Sequence, residues 1–143
     1  MRGPCSIFLL LLITTAFAGL TGCSSTQHSQ TGPFTTDGRP IEVLQSEEGT
    51  ASYYSNKFHG RKTASGERYR KELLTAAHRS YPFGTYLRIT SLGTGSSVIV
   101  RVNDRGPSMR KRLLDLSHAA AAQLGMLRAG IVKVRVEVIS WGT

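Results

Sequence analysis

The sequence predicts a compact, mainly β domain closed into a small barrel, and three observations carry that expectation. Apolar and polar residues alternate with period two in three stretches of the second half of the chain, the pattern of strands that bury one face. Only one stretch reads as a helix, and it is about two turns long. Several short strands with a single short helix favour a compact barrel over a layered α/β fold.

Ala51 to Tyr54 and Leu73 to Ala76 are short apolar pieces that qualify as weaker strand candidates. Leu87 and Ile89 alternate inside a polar frame, and Gly93-Thr94-Gly95 then supplies a tight hairpin connection. The next strand sets Val98, Val100 and Val102 against Ile99, Arg101 and Asn103. Its parity places Asp104 on the valine side and Arg105 on the opposite one. Leu113 to Leu116 is a further weak candidate. Ser117 is a plausible N-cap for a helix running through Ala119 to Ala122 and stopping at Gly125. Val132, Val134, Val136 and Val138 against Lys133, Arg135 and Glu137 form the last strand.

Ahead of this domain, assigned to residues 49–140, lie a leader and a tether. Arg2 and the apolar run from Ile7 towards Leu20 read as a signal peptide over residues 1–22, too short for a comfortable transmembrane span. The run ends in Leu20-Thr21-Gly22-Cys23, which resembles a lipobox and assigns lipidation to Cys23. Ser24 in the following position resembles the pattern that directs lipoproteins to an outer membrane, so the expected location is the cell envelope, facing the periplasm. Residues 23–48 are rich in Ser, Thr, Gln, Gly and Pro and read as a flexible linker. With Cys5 lost in the leader and Cys23 acylated, no thiol is left for a disulfide. The formal net charge is +9, and removing the leader takes away only Arg2. Export argues against nucleic acid and points to anionic envelope polymers or phospholipid surfaces as partners. The four histidines show no metal spacing, and no cofactor is implied.

Three segments carry a resemblance: Phe58-His59-Gly60-Arg61 with Thr63 to Glu67; Leu74-Thr75-Ala76-Ala77-His78-Arg79 with Pro82 to Thr85; and Val102-Asn103-Asp104-Arg105-Gly106-Pro107 with Asp115-Leu116-Ser117. Together with Leu124-Gly125-Met126 they resemble the rare lipoprotein A (RlpA) family across essentially all of residues 49–139. The resemblance implies a six-stranded double-psi β-barrel. It also implies lytic transglycosylation of peptidoglycan, breaking the MurNAc-GlcNAc β-1,4 bond with closure of a 1,6-anhydro ring and a preference for glycan without stem peptides. Two departures stand out. Tyr53-Tyr54-Ser55 replaces a common Trp-Tyr-Gly, and the basic Pro107 to Arg112 replaces a segment that usually holds an aromatic residue and a glycine.

Glycosidic cleavage needs a carboxylic acid at the leaving oxygen. Asp104 is the candidate for that role, or alternatively a side chain that caps the Arg105-Gly106-Pro107 turn. The resemblance assigns Glu67 and His78 as its catalytic partners, against the plainer readings of a solvated loop glutamate and a barrel-rim histidine. Asp115 competes with Asp104, but its expected part is to cap the backbone ahead of the helix at Ser117. Tyr54 is expected to face substrate, with the other aromatics in the core. Arg79, Arg101 and Arg105 could bind the lactyl carboxylate of MurNAc or simply be surface charge. A non-catalytic glycan-binding module and a structural lipoprotein are the alternative functions, and a monomer is expected.

Overall fold

A computed structural model describes residues 40–143; the leader, Cys23 and most of the expected linker lie outside the described residues. Six strands, β1 (Gln45–Tyr53), β2 (Thr75–His78), β3 (Tyr86–Ser91), β4 (Ser97–Asp104), β5 (Leu114–Leu116) and β6 (Val132–Ser140), close in the order β1-β5-β2-β4-β3-β6. One short helix, α1 (His118–Gln123), joins β5 to β6, and a 3-10 turn covers Asn56–Phe58. β1 runs parallel to β5 and β2 parallel to β4, while the remaining pairs are antiparallel.

Alternation fills the barrel. Leu87 and Ile89 of β3, Val98, Val100 and Val102 of β4, and Val134, Val136 and Val138 of β6 are all buried, meeting Leu114 and Leu116 of β5 inside. Truncating one of these, such as Leu87→Ala, removes about 2 to 5 kcal/mol of stability. The opposite faces of the strands carry cross-strand ion pairs: Arg88 donates to both carboxylate oxygens of Glu137, directly opposite it, at 2.7 and 3.0 Å. In the β3–β4 hairpin the amide of Gly95, at φ +74°, donates to the Ser91 carbonyl at 2.8 Å. Ser117 caps α1 by accepting from the Ala120 amide, and Ala120, Ala121 and Leu124 close that end of the core.

Two boundaries differ from the sequence expectation. β1 begins at Gln45, ahead of the expected start of the domain at Gly49. The stretch Gln45 to Thr50 contains no apolar side chain to announce a strand. It is recruited by antiparallel pairing with β6, from Gln45 opposite Val138 to Ala51 opposite Val132, and by Arg135 donating to Glu48 at 2.9 Å. β2 lies two positions later than the apolar run, because Leu73 stays exposed while Thr75 to His78 are buried. The burial there belongs to small and polar side chains that period analysis does not flag.

Candidate active site

The site begins with an irregularity in β4. Ala76 of β2 stands opposite Val102, but the next residue, Ala77, stands opposite Asp104, so Asn103 is an extra residue inserted into the ladder. A bulge of this kind moves every following side chain to the other face. Asp104 therefore leaves the valine side where strand parity puts it and joins the outer face. There it falls in a row across the sheet: Ser52 of β1 opposite Asp115 of β5, Asp115 opposite Ala77, and Ala77 opposite Asp104. The two aspartates flank a methyl group, with Cα atoms about 10 Å apart, two strand spacings.

Both carboxylates line one cavity of about 560 Å³, within the size range of ligand clefts. Asp104 accepts three hydrogen bonds: from the Tyr54 hydroxyl at 2.7 Å, and from the Ala64 and Arg105 amides at 2.8 Å each. Burial pushes the Tyr54 phenol far above its usual range, and its bond to Asp104 adds to the shift, so it stays a donor. Its ring is wedged between Tyr69 and Phe58, at 4.9 and 5.7 Å between centroids. Asp115 accepts from the Ser52 hydroxyl and pairs with Arg112, whose Nη1 lies 3.3 Å from its Oδ1 and also donates to Ser52. Gly106 lines the wall at φ +147°, a conformation other residues rarely adopt, and brings bare backbone up to Ala77 and Asp115. Lys57, Arg61 and Lys62 form an exposed basic rim.

The other sequence-assigned residues fall elsewhere. Glu67 is outside the cavity lining. It takes both guanidinium nitrogens of Arg101 at 2.8 Å and the Asn103 amide at 3.0 Å, and these bonds hold its carboxyl down at about 2. These partners hold the carboxylate in its ionised form. What it docks is the loop from Thr63 to Glu67, whose Ala64 amide reaches Asp104. Glu67 and Arg101 thus position Asp104 through the backbone.

His78 is 5% exposed and also outside the cavity lining. It stacks on Tyr81 at 3.7 Å, its Nδ1 accepts from the Tyr81 amide at 3.1 Å, and its Nε2 lies 3.6 Å from Glu47. Burial lowers its pKa, with Arg79 and Arg105 adding to the shift and Glu47 opposing it. The Tyr81 hydroxyl donates to Glu47. Arg79 donates to the carbonyls of Pro107 and Met109, bracing the loop that leads to Arg112. Arg105 lines the cavity, yet its guanidinium donates to the carbonyls of His78 and Tyr81 and lies 3.8 Å over the Phe83 ring.

Asp104, Tyr54 and Arg105 are therefore brought together at the cavity, and Glu67, His78, Arg79 and Arg101 lie outside its lining. The structure overturns one assignment. Asp115 does not cap the helix, a role filled by the Ser117 hydroxyl, but faces the cavity with Arg112 and Ser52. The alternation Leu114-Asp115-Leu116, with both leucines fully buried, is the signal that puts it on the outer face. Among the described residues no cluster of side chains is arranged to hold a metal ion, and no helix is long and apolar enough to cross a membrane.

Residues 46–136 match the family described as lytic transglycolase. The chain is 43% identical over 116 residues to the endolytic peptidoglycan transglycosylase RlpA of Campylobacter jejuni, covering 78% of this chain and 42% of that one. It is 53% identical over 92 residues to the protein of the same name from Haemophilus influenzae, covering 64% of this chain and 32% of the relative. The chain thus spans less than half the length of these curated relatives. Among solved structures, Streptomyces papain inhibitor aligns with a TM-score of 0.56 at 23% identity over 70% of this chain and 99% of its own, a likeness of fold. The match over residues 46–136, which runs from β1 to β6 of the closed barrel, makes this chain a member of the lytic transglycolase family, in company with the RlpA proteins on the double-psi β-barrel.

Proposed function

We propose that this barrel is a lytic transglycosylase that cleaves the MurNAc-GlcNAc β-1,4 bonds of peptidoglycan, with a preference for strands without stem peptides. The observation that carries the proposal is the pairing of Asp104 and Asp115 in one open cavity, joined to the names of the relatives. Asp104 in its acid form gives its proton to the glycosidic oxygen of the departing GlcNAc as the MurNAc C1–O bond breaks. Positive charge grows at C1, and the Asp115 carboxylate, oriented by Ser52 and Arg112, faces it. The C6 hydroxyl of the same MurNAc attacks C1 and returns its proton to Asp104, closing the 1,6-anhydro ring without water. Tyr54 holds Asp104 in place during both transfers.

The location proposed is the envelope, with lipidated Cys23 as the anchor and a linker reaching roughly 25 to 30 Å on average as a flexible coil. The barrel is proposed to act as a monomer. Incubating it with purified denuded glycan and searching by mass spectrometry for 1,6-anhydroMurNAc ends tests the reading. Release of such ends is the expected result, whereas glycan retention without any cleavage would make the domain a binding module.

A further inference from the structure

A cavity of about 420 Å³ shares no lining residue with the active site. The β3–β4 turn forms one wall with Leu92, the segment after α1 forms another with Leu124, Met126 and Ala129, and the start of β6 supplies Val132 and Lys133. Backbone bonds fix all three parts. The Leu92 amide donates to the Lys133 carbonyl at 3.0 Å, the Met126 amide to the Ala121 carbonyl at 3.0 Å, and the Gly130 amide to the Met126 carbonyl at 2.9 Å. The groove is thus formed before anything enters it.

Its lining contains no aromatic ring and no carboxylate. Polar groups at the turn are already engaged: Thr94 Oγ1 accepts from the Ser96 amide at 3.3 Å, and the Ser91 carbonyl accepts from the Gly95 amide at 2.8 Å. A sugar would bring hydroxyls that find few partners there, whereas an aliphatic chain meets Leu, Met, Ala and Val side chains along its length.

One end of the groove is different. Leu92 and Lys133 also line a smaller cavity of about 240 Å³ with Glu48, Gly49 and Thr50, so an aliphatic space and a polar one meet at the lysine. Glu48 is taken by Arg135, which donates to its Oε1 from two nitrogens at 2.9 and 3.1 Å. Lys133 is exposed and makes no ion pair among the described residues. An unpaired cation at the mouth of an aliphatic groove is complementary to an anionic head carried on an acyl chain.

We infer that this groove binds one acyl chain of an anionic phospholipid, with Lys133 on the phosphate. The site is independent of the glycan-cleaving reading. It lets the basic domain meet lipid through residues other than those of its catalytic cavity.

Three soluble probes test the site on the full chain carrying Cys23→Ala, which removes any acyl group of the protein's own. They are lysophosphatidylglycerol below its micelle concentration, lysophosphatidylcholine, and glycerol phosphate. Methyl-labelled methionine reports the place, because Met126 lines the groove while Met109, 58% exposed, lies outside it. Lysophosphatidylglycerol should shift the Met126 methyl signal, leave Met109 unmoved, and bind about tenfold more tightly than lysophosphatidylcholine. Lengthening its chain by two methylenes should tighten binding by about tenfold until the groove is full. Glycerol phosphate should not bind measurably. Lys133→Gln should erase the preference for the anionic head and leave lysophosphatidylcholine binding unchanged. Ala129→Phe, at an exposed position of the lining, should weaken both lysolipids by about tenfold, and the chain-length series on the unsubstituted groove reads the same contact should that variant not fold. An unmoved Met126 signal, or affinity that ignores chain length, would overturn the acyl site. Glycerol phosphate binding as tightly as the lysolipid would reduce it to a plain anion site, and a preference that survives Lys133→Gln would remove the lysine. A Met126 shift that grows with protein concentration without lipid would give the groove to a second copy of the chain and overturn the inference.

Discussion

Asp104 and Asp115 belong to one polar region of the barrel, and His78, Tyr81 and Glu47 to another, and β2 reaches both. In the first, buried Ala77 stands in register between two carboxylates that line an open cavity. In the second, the next residue along, His78, is buried, stacked, and bonded through Nδ1 to the Tyr81 amide, with Glu47 beside it. One step in sequence separates a residue set between two cavity-lining carboxylates from a buried, stacked imidazole. All of these groups are bonded to protein partners, and what separates them is exposure to the cavity: Asp104 and Asp115 line it, whereas His78 and the clamped Glu67 lie outside its lining.

The sharpest way to break this comparison is to remove each group in turn. Asp104→Asn keeps the shape but cannot deliver a proton, and release of anhydro ends should fall by roughly 100-fold to 10,000-fold in a folded protein. Near-wild-type product would remove Asp104 as the acid. Asp115→Asn should cost on the order of 100-fold in rate with little change in thermal midpoint, as expected for a charge-stabilising group. A loss of stability with normal activity would return Asp115 to a scaffolding role.

His78→Ala should act in the other direction, lowering stability by about 2 kcal/mol while any residual folded fraction still binds glycan. Denaturant titration set beside glycan pull-down separates the two effects. Because burial lowers the His78 pKa below its ordinary 6.5, the unfolded chain takes up this proton before the folded one as pH falls. Its contribution to stability is full above about 6.5 and declines below it, a dependence that should vanish in His78→Phe. A pH-independent wild-type midpoint between 7.5 and 5.5, on the order of one pKa-unit window either side of 6.5, would contradict the buried neutral ring.

The smallest effect is expected at Glu67. Glu67→Gln retains an acceptor for Asn103 but loses the paired charge, so activity should drop about tenfold or less, well short of Asp104→Asn. The ion pair stabilises the fold above the ordinary carboxyl value of 4.5 and is lost as pH falls towards about 2. Solvent screening at this exposed site keeps that term small. Equal and total loss of activity in Glu67→Gln and Asp104→Asn would place Glu67 at the chemical step instead.

Much of this molecule was legible in its sequence because strands that bury one face must alternate. β3, β4 and β6 alternate visibly, Ser117 is the kind of residue that caps a helix, and the ordered motifs around His78 and Asp104 point to the family. The first half of β1 was not legible, since Gln45 to Thr50 has no apolar period and becomes a strand only by pairing with β6. Nor was the face of Asp104. Parity counts residues along one strand, whereas the bulge at Asn103 is set by how β4 registers against β2. The pairing of β2 with β5 puts Asp115 beside Ala77, away from the helix it precedes in sequence. Residue types and their local periods are properties of the chain itself, but which carboxylates share a cavity depends on hydrogen-bond register between strands far apart in sequence, and only closure of the barrel determines that.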